Sequence, residues 1–187
     1  SEDQGIPANP HSTYGWAKIL GEVGCRAYHQ DTQLSTSSAR IFNCYGPREN
    51  LDPDRSHVIP SLCRKVVEEP DGGSIELFGD GSQQRGFIYV TDLVDGLIEV
   101  MRSYSTGEPI NLGNASEVVS INELAERIIA LSDKDLSVEH DRSKPTGTDK
   151  YACDTSKMEA ELDWEPSVSL NEGLSQTYRW VAEQLRA

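Results

Sequence analysis

The chain has 187 residues, 36% of them hydrophobic, and carries 31 acidic against 17 basic side chains, for a formal net charge of −14. This acidic excess argues against nucleic acid or an anionic membrane as partner, and no apolar run approaches the ~20 residues of a membrane span. The four cysteines lie far apart without a C-x-x-C pair, which favours reduced thiols in a soluble cytoplasmic protein over a disulfide framework or a metal site.

Helix and strand patterns alternate along the chain, which predicts the α/β fold class. Ser12 is a predicted helix N-cap, Thr91 or Asp92 is another, and Ser120 with Glu123 forms a capping-box pattern. In chain order the patterns predict helix 12–30, strand 35–43, helix 58–69, strand 74–78, strand 87–90, helix 91–102, strand 110–112, helix 120–131, strand 136–139 and helices 155–162 and 170–185.

Tyr14 and Lys18 lie four residues apart on the first predicted helix. This spacing places both side chains on one helical face, where an ammonium stabilises a nearby phenolate. Such a phenol can transfer a proton, and the lysine can hold ribose hydroxyls beside it. The spacing alone is common on surface helices, so its meaning depends on the surrounding sequence.

Residues 10–22, PHSTYGWAKILGE, resemble the active-site helix of the extended short-chain dehydrogenase/reductase superfamily, whose members are mostly nucleotide-sugar epimerases, dehydratases and reductases. The resemblance implies that Tyr14 is the acid/base, that Lys18 binds the nicotinamide ribose, and that the cofactor is NAD or NADP. It also implies a homodimer formed through the helix that carries Tyr14.

A glycine-rich turn between a strand and a helix normally holds the dinucleotide pyrophosphate, and no stretch of this chain has that pattern. The chain also starts without methionine, so we expect the C-terminal part of a longer enzyme, inactive by itself. The expected fold is the C-terminal portion of a Rossmann-type parallel-sheet domain, over residues 1–47, and a small α/β substrate-binding subdomain, mainly over residues 48–187, with some segments returning to the Rossmann domain.

Residues 39–48, ARIFNCYGPR, resemble the superfamily's strand and turn beneath the nicotinamide. A strand that breaks at Gly-Pro exposes an amide side chain and backbone groups at the carboxyl edge of a sheet, where ligands of open α/β sheets bind. The resemblance implies that Phe42, Asn43 and Cys44 contact the cofactor and that Asn43 also contacts the sugar nucleotide. A turn-capping amide is the structural alternative for Asn43.

Residues 56–60, SHVIP, resemble GDP-L-fucose synthases, in which this histidine is an acid/base for epimerisation. GDP-mannose 3,5-epimerases have an acid/base lysine there and are similar in the following helix. The resemblance implies catalysis by His57, which suits an imidazole because imidazole exchanges protons near neutral pH. It also implies substrate binding by Val58 and Lys65. Without these flanking residues, a histidine near a helix start is usually a cap or surface group.

Residues 79–93 resemble a segment of the superfamily's nucleotide-sugar enzymes in which an arginine binds the substrate diphosphate. A guanidinium group suits phosphate oxygens, because it can donate two parallel hydrogen bonds. The resemblance implies that Arg85 binds substrate; an ordinary surface arginine is the alternative. In the tail, residues 144–150 and 154–157 are similar to GDP-L-fucose synthases, whereas residues 111–113 and 119–125 are closer to GDP-mannose 3,5-epimerases. Lys150 is expected to supply the substrate-binding charge of an arginine that many relatives carry where Tyr151 stands.

Together the blocks imply an NAD(P)-dependent nucleotide-sugar epimerase/dehydratase that acts on a GDP-linked hexose by redox chemistry at C4 and proton transfer at C3 or C5. A UDP-sugar 4-epimerase or UDP-glucuronate decarboxylase is an alternative, in which His57 is an incidental loop residue. A noncatalytic sugar-nucleotide-binding or interaction module is another, because the cofactor pyrophosphate has no glycine-rich turn in this sequence.

Overall fold

The computed structural model describes residues 1–2, 13–32 and 34–186 and has the predicted α/β architecture. The helices within these ranges are α1 (Thr13–Thr32), α2 (Val58–Glu68), α3 (Val90–Ser103), α4 (Ile121–Ile129), α5 (Ser156–Glu161) and α6 (Leu170–Arg186). The strands are β1 (Ser38–Ile41), β2 (Cys44–Tyr45), β3 (Ser74–Phe78), β4 (Gln84–Gly86), β5 (Ile88–Tyr89), β6 (Pro109–Leu112), β7 (Val118–Ser120), β8 (Ser137–Asp141) and β9 (Lys150–Tyr151).

Most of the strands pair in parallel. β1 pairs with β6, β2 with β5 and β3 with β8, all parallel, while β4 lies between antiparallel β7 and parallel β9. Parallel strands need long crossover connections, and the helices between the paired strands provide them. The parallel pairs confirm the expected fold class.

Two buried clusters form the core. The first lies among α2, α4, α6 and β3 and is centred on Ile59, Val66, Leu124 and Leu174. The second includes Ile110 and Leu112 of β6, together with residues of α3 and α5. Because α2 buries one face in the first cluster, its opposite face and its N-terminal end are available for other contacts.

The structure confirms one predicted helix cap and contradicts another. The Ser120 side chain accepts a hydrogen bond from the Glu123 backbone N–H at 3.1 Å, which confirms the capping of α4. The prediction for α3 was wrong, since the helix begins at Val90 after an N-cap at Tyr89 that makes no side-chain cap bond. Asp92 is instead buried and accepts hydrogen bonds from the segment before α6. Ser12 lies outside the described residues.

Helix α1 has no buried residue among those the structure describes. Its spacing predicts an apolar packing face, yet Leu20 and Val23 are exposed. Polar links attach the helix instead: the Arg40 guanidinium donates to both carboxylate oxygens of Glu22 at 2.8 Å, and Arg26 pairs with Glu108 at 2.6 Å. The predicted helix is therefore present without the predicted burial.

Neither a membrane-spanning helix nor a metal-binding cluster occurs in the part of the chain that the structure describes. None of these helices combines the length and apolar character needed to cross a bilayer. No group of three or more histidine, cysteine, aspartate or glutamate side chains is arranged there to hold a metal ion.

Candidate nucleotide-sugar site

A cavity of about 510 Å³ lies between α2, β3 and the segment that precedes β9. Val58 and Lys65 reach it from α2, Phe78 from β3, Arg85 from β4 and Thr146 from the segment before β9. We call it the α2–β3 cavity. Its volume is that of a small-molecule site.

Cations and an aromatic ring meet at one wall of this cavity. The Lys65 ammonium donates to the Glu76 carbonyl at 2.6 Å and lies 5.3 Å from the centre of the Phe78 ring. The Lys144 ammonium lies 5.6 Å from the same ring. Burial lowers the pKa of Lys65, and the negative charge of Glu76 opposes that shift. Phe78 itself is 48% exposed, so its ring is accessible for stacking.

Arg85 enters the cavity on an anchored side chain. Its guanidinium donates to the Gln84 carbonyl at 2.8 Å and to the Thr146 carbonyl at 3.4 Å. Arg64, a second guanidinium in the lining, donates to the Leu51 carbonyl at 3.2 Å. Arg64 also pairs with Glu68 at 2.9 Å, and the lining includes the acidic side chains of Asp54 and Glu76. Arg85 and the Lys65 ammonium are the lining cations without a carboxylate within ion-pair distance among the described residues, and they suit an anionic ligand.

His57 is the N-cap residue of α2 and is 80% exposed at its side chain. Its Nδ1 contacts a carboxylate oxygen of Glu49, across the loop that separates the two residues. His57 is not in the cavity lining, although its neighbours Ser56 and Val58 are. His57 thus lies between two cavity-lining residues in the chain, and Glu49 contacts its ring from one side.

Asn43 has the left-handed backbone conformation, with φ of 41°, which ends β1 sooner than predicted. Its side-chain amide donates to the Gly86 carbonyl at 2.8 Å, and its own carbonyl accepts from the Ile88 N–H at 3.2 Å. The amide therefore ties the end of β1 to β4 rather than standing free at the sheet edge. Arg48 is also left-handed, with φ of 69°.

The two residues beside Asn43, Phe42 and Cys44, are partly buried. The Phe42 ring stacks on Tyr151 with centroids 5.3 Å apart. Burial, with a smaller contribution from Glu49, raises the pKa of the Cys44 thiol to about 11. The Cys44 thiol is consequently protonated at neutral pH.

Tyr14 and Lys18 share one face of α1, as their spacing predicts. The Lys18 ammonium lies 5.1 Å from the centre of the Tyr14 ring, and the ring is 71% exposed. Neither residue lines the α2–β3 cavity. The pair therefore forms a separate exposed constellation on α1.

The structure brings together only part of the predicted site. Three predicted substrate residues line the cavity: Val58, Lys65 and Arg85. Two more lie beside that group, since Asn43 bonds to the residue after Arg85, and Lys150 pairs with Gln84 across β4 and β9. Tyr14 and Lys18 remain apart from it.

Sequence reasoning missed Glu76, Phe78 and Thr146 in the cavity wall. The alternation of β3 is a usable signal, because Ile75 and Leu77 are buried while Glu76 and Phe78 point to the opposite face. Thr146 has no such pattern, since its position depends on how the segment before β9 folds back toward Gly79.

Two plant proteins are similar to most of this chain in sequence. GDP-L-fucose synthase 1 of Arabidopsis thaliana is 40% identical over 174 residues, which cover 92% of this chain and 53% of that protein. GDP-mannose 3,5-epimerase of the same plant is 33% identical over 184 residues, covering 98% of this chain and 48% of that protein. The chain thus spans about half the length of the curated relatives it matches.

A solved structure has the same fold. UDP-glucuronic acid 4-epimerase from Bacillus cereus, in complex with UDP-glucuronic acid and NAD, superposes with a TM-score of 0.78 and 31% identity, covering 95% of this chain and 54% of that one. The sequence model of the NAD dependent epimerase/dehydratase family matches residues 1–113. The chain therefore belongs to the NAD dependent epimerase/dehydratase family.

Proposed function

We propose that the natural polypeptide containing this chain is an NAD(P)-dependent enzyme that acts on a GDP-linked hexose by redox chemistry at C4 and proton transfer at C3 or C5. The α2–β3 cavity is the observation that carries this proposal. It joins Arg64, Lys65 and Arg85 to the exposed Phe78 ring. Such cations suit a diphosphate and such a ring suits a nucleobase, which together describe a nucleotide sugar.

Tyr14 and Lys18 fit the ribose side of a nicotinamide cofactor. Their exposed side chains and mutual contact supply a hydroxyl and an ammonium on one face, suited to ribose hydroxyls. The sequence lacks the glycine-rich turn for the pyrophosphate, so this chain provides only part of the dinucleotide site. When bound, the nicotinamide accepts a hydride from the sugar or returns one. Phe42, Asn43 and Cys44 are proposed to border the same cofactor.

Two side chains of this chain carry out the proton transfers of the reaction. Tyr14 takes or returns the proton of the C4 hydroxyl, with Lys18 beside it. A C4 ketone acidifies the neighbouring C–H bonds, and His57, which lies between the lining residues Ser56 and Val58 in the chain, exchanges a proton at C3 or C5. Inversion needs removal on one face and delivery on the other, so a second acid/base is required as well.

UDP-linked sugars are the second candidate substrates. The similarity to UDP-glucuronic acid 4-epimerase, at 31% identity, favours them, whereas the relatives at 40% and 33% identity carry GDP in their names. In the UDP case His57 has no role in the reaction.

We also propose a domain organisation and a dimer contact. Residues 1–47 belong mainly to the cofactor domain, and the rest of the chain belongs mainly to the substrate domain. Helix α1, with its exposed apolar side chains, forms a homodimer contact.

Calorimetry with GDP and UDP tests the cavity directly in this chain. Replacing Arg85 by alanine removes charge-assisted hydrogen bonds worth about 1.5–3 kcal/mol, so the Kd for GDP should rise by roughly 10–100-fold. The matched control is Arg179→Ala, which removes one exposed positive charge from α6 outside the cavity lining. No binding of either nucleotide, or an equal loss in both variants, contradicts the proposal.

Turnover tests the role assignments in the natural polypeptide. With NAD or NADP and GDP-mannose or GDP-4-keto-6-deoxymannose, we expect Tyr14→Phe to abolish all turnover. His57→Asn should leave C4 redox chemistry but stop inversion. Unchanged turnover in both variants refutes the assignments, and turnover of UDP-sugars alone moves the substrate to the second candidate.

A further inference from the structure

Glu49 and His57 form a carboxylate–imidazole pair beside the α2–β3 cavity. A carboxylate oxygen of Glu49 contacts Nδ1 of His57, and both residues lie in the loop between β2 and α2, with His57 as its last residue. The Glu49 side chain is 18% exposed and the His57 side chain is 80% exposed. The Glu49 side chain is therefore mostly buried, whereas the His57 imidazole is mostly exposed to solvent.

The Glu49 carboxylate lies near β2, where its negative charge adds to the raised pKa of the Cys44 thiol. The backbone of His57 is held at the start of α2, because His57 is the N-cap residue and its carbonyl accepts from the Ser61 N–H at 3.0 Å. The pair thus joins a loop carboxylate near β2 to an imidazole whose backbone is held by α2. Rotation of the imidazole about its side-chain bonds breaks the Glu49 contact.

This contact determines which ring nitrogen carries the proton of a neutral His57. An ionised carboxylate only accepts hydrogen bonds, so the nitrogen that faces it must be the donor. Nδ1 therefore carries the hydrogen, and Nε2 keeps its lone pair on the opposite, exposed side of the ring. A ring in this state can take a proton through Nε2, and the carboxylate then faces the imidazolium that forms.

We propose that Glu49 is a positioning residue, which holds the His57 ring in the Nδ1–H tautomer with Nε2 directed away from Glu49 to exchange the substrate proton. This proposal rests on the proposed function, because it assigns Glu49 a part in the same C3 or C5 inversion. Glu49 touches neither substrate nor cofactor in this scheme. It acts through the orientation and protonation state of His57.

Long-range ¹H–¹⁵N NMR of the imidazoles tests the tautomer in this chain without any turnover. At a pH where histidines are neutral, the His57 signals, assigned with His57→Asn, should show protonated Nδ1 in the unsubstituted chain. Glu49→Ala should shift them to the Nε2–H form, whereas Glu49→Gln should retain protonated Nδ1 because an amide oxygen still accepts. Glu183→Ala, which removes an exposed charge on α6, is the control and should change nothing. Protonated Nε2 in the unsubstituted chain, or no change in Glu49→Ala, overturns the proposal.

Kinetics of the natural polypeptide provide the second readout. Glu49→Ala should slow solvent-proton exchange at the inverted carbon by about 100-fold or more while the KM for the nucleotide sugar and the C4 redox step stay near their original values. Glu49→Gln should recover much of that exchange rate. Exchange as fast in Glu49→Ala as in the original enzyme overturns the positioning role. An original enzyme that turns over no nucleotide sugar contradicts the proposed function instead, and leaves the NMR result as the test of the pair.

Discussion

Lys134 caps the C-terminal end of α2, and its replacement by methionine should destabilise the protein markedly. The ammonium donates to the carbonyls of Val66 and Val67 at 2.8 Å and of Glu69 at 2.6 Å. These carbonyls belong to the last turn and cap of the helix, where carbonyl groups lack partners within the helix. Methionine keeps an unbranched apolar stem and removes all three donors.

The expected loss follows from those three contacts. Each hydrogen bond contributes about 1 kcal/mol net, and a cation at a helix C-terminus adds about 0.5 kcal/mol, so Lys134→Met should lower the free energy of unfolding by about 3.5 kcal/mol. Lys157→Met is the matched control, because that ammonium donates to one carbonyl, of Pro109, at 2.9 Å and lies 5.4 Å from the centre of the Tyr104 ring. It should lose about 1.5 kcal/mol.

Urea unfolding followed by circular dichroism measures both variants. For an m-value of about 2 kcal/mol per molar urea, the transition midpoint of Lys134→Met should lie about 1 M below that of Lys157→Met. A loss in Lys134→Met no larger than in the control refutes the reasoning, because three hydrogen bonds would then contribute no more than one hydrogen bond and one cation–π contact.

Two further predictions concern packing and thiol chemistry. Gly173→Ala should destabilise the protein by about 1–3 kcal/mol, since an added Cβ would lie 2.1 Å from the Tyr45 hydroxyl oxygen. Gly21→Ala is the control and should not destabilise the protein, because a Cβ there meets nothing within 4 Å. Equal unfolding midpoints of the two variants in urea contradict this prediction. Because burial raises the pKa of Cys44 to about 11, the thiol is protonated at neutral pH, and its alkylation rate, followed by peptide mass spectrometry, should still be rising at pH ~10. A rate that levels off near pH ~8.5, the ordinary thiol pKa, refutes the burial argument.

Elements with a strong local signal were predictable from the sequence. β3 has the predicted bounds, and α2 begins at the predicted residue, because alternation in one and apolar spacing in the other are local properties. The serine cap of α4 is local as well. The short strands β4, β7 and β9 were not separately predicted, because two or three residues become a strand only through pairing with distant segments.

The candidate site was predictable to a smaller degree. Motifs identified Lys65 and Arg85, both of which line the cavity. They did not indicate Phe78, whose role depends on two lysines arriving from separate elements, or the Glu49 contact to His57. Contacts of this kind are set by tertiary packing, which residue spacing alone does not encode.

The two carbonyl contacts of Arg85 have a consequence for the thermodynamics of anion capture. An unrestrained arginine loses about 2 kcal/mol of rotamer freedom when a ligand orders it. Here the guanidinium is already ordered by the Gln84 and Thr146 carbonyls. Much of the entropic cost of ordering Arg85 is therefore incurred when the protein folds and not when an anion binds. More of the electrostatic attraction then contributes to affinity than it would for an unrestrained arginine.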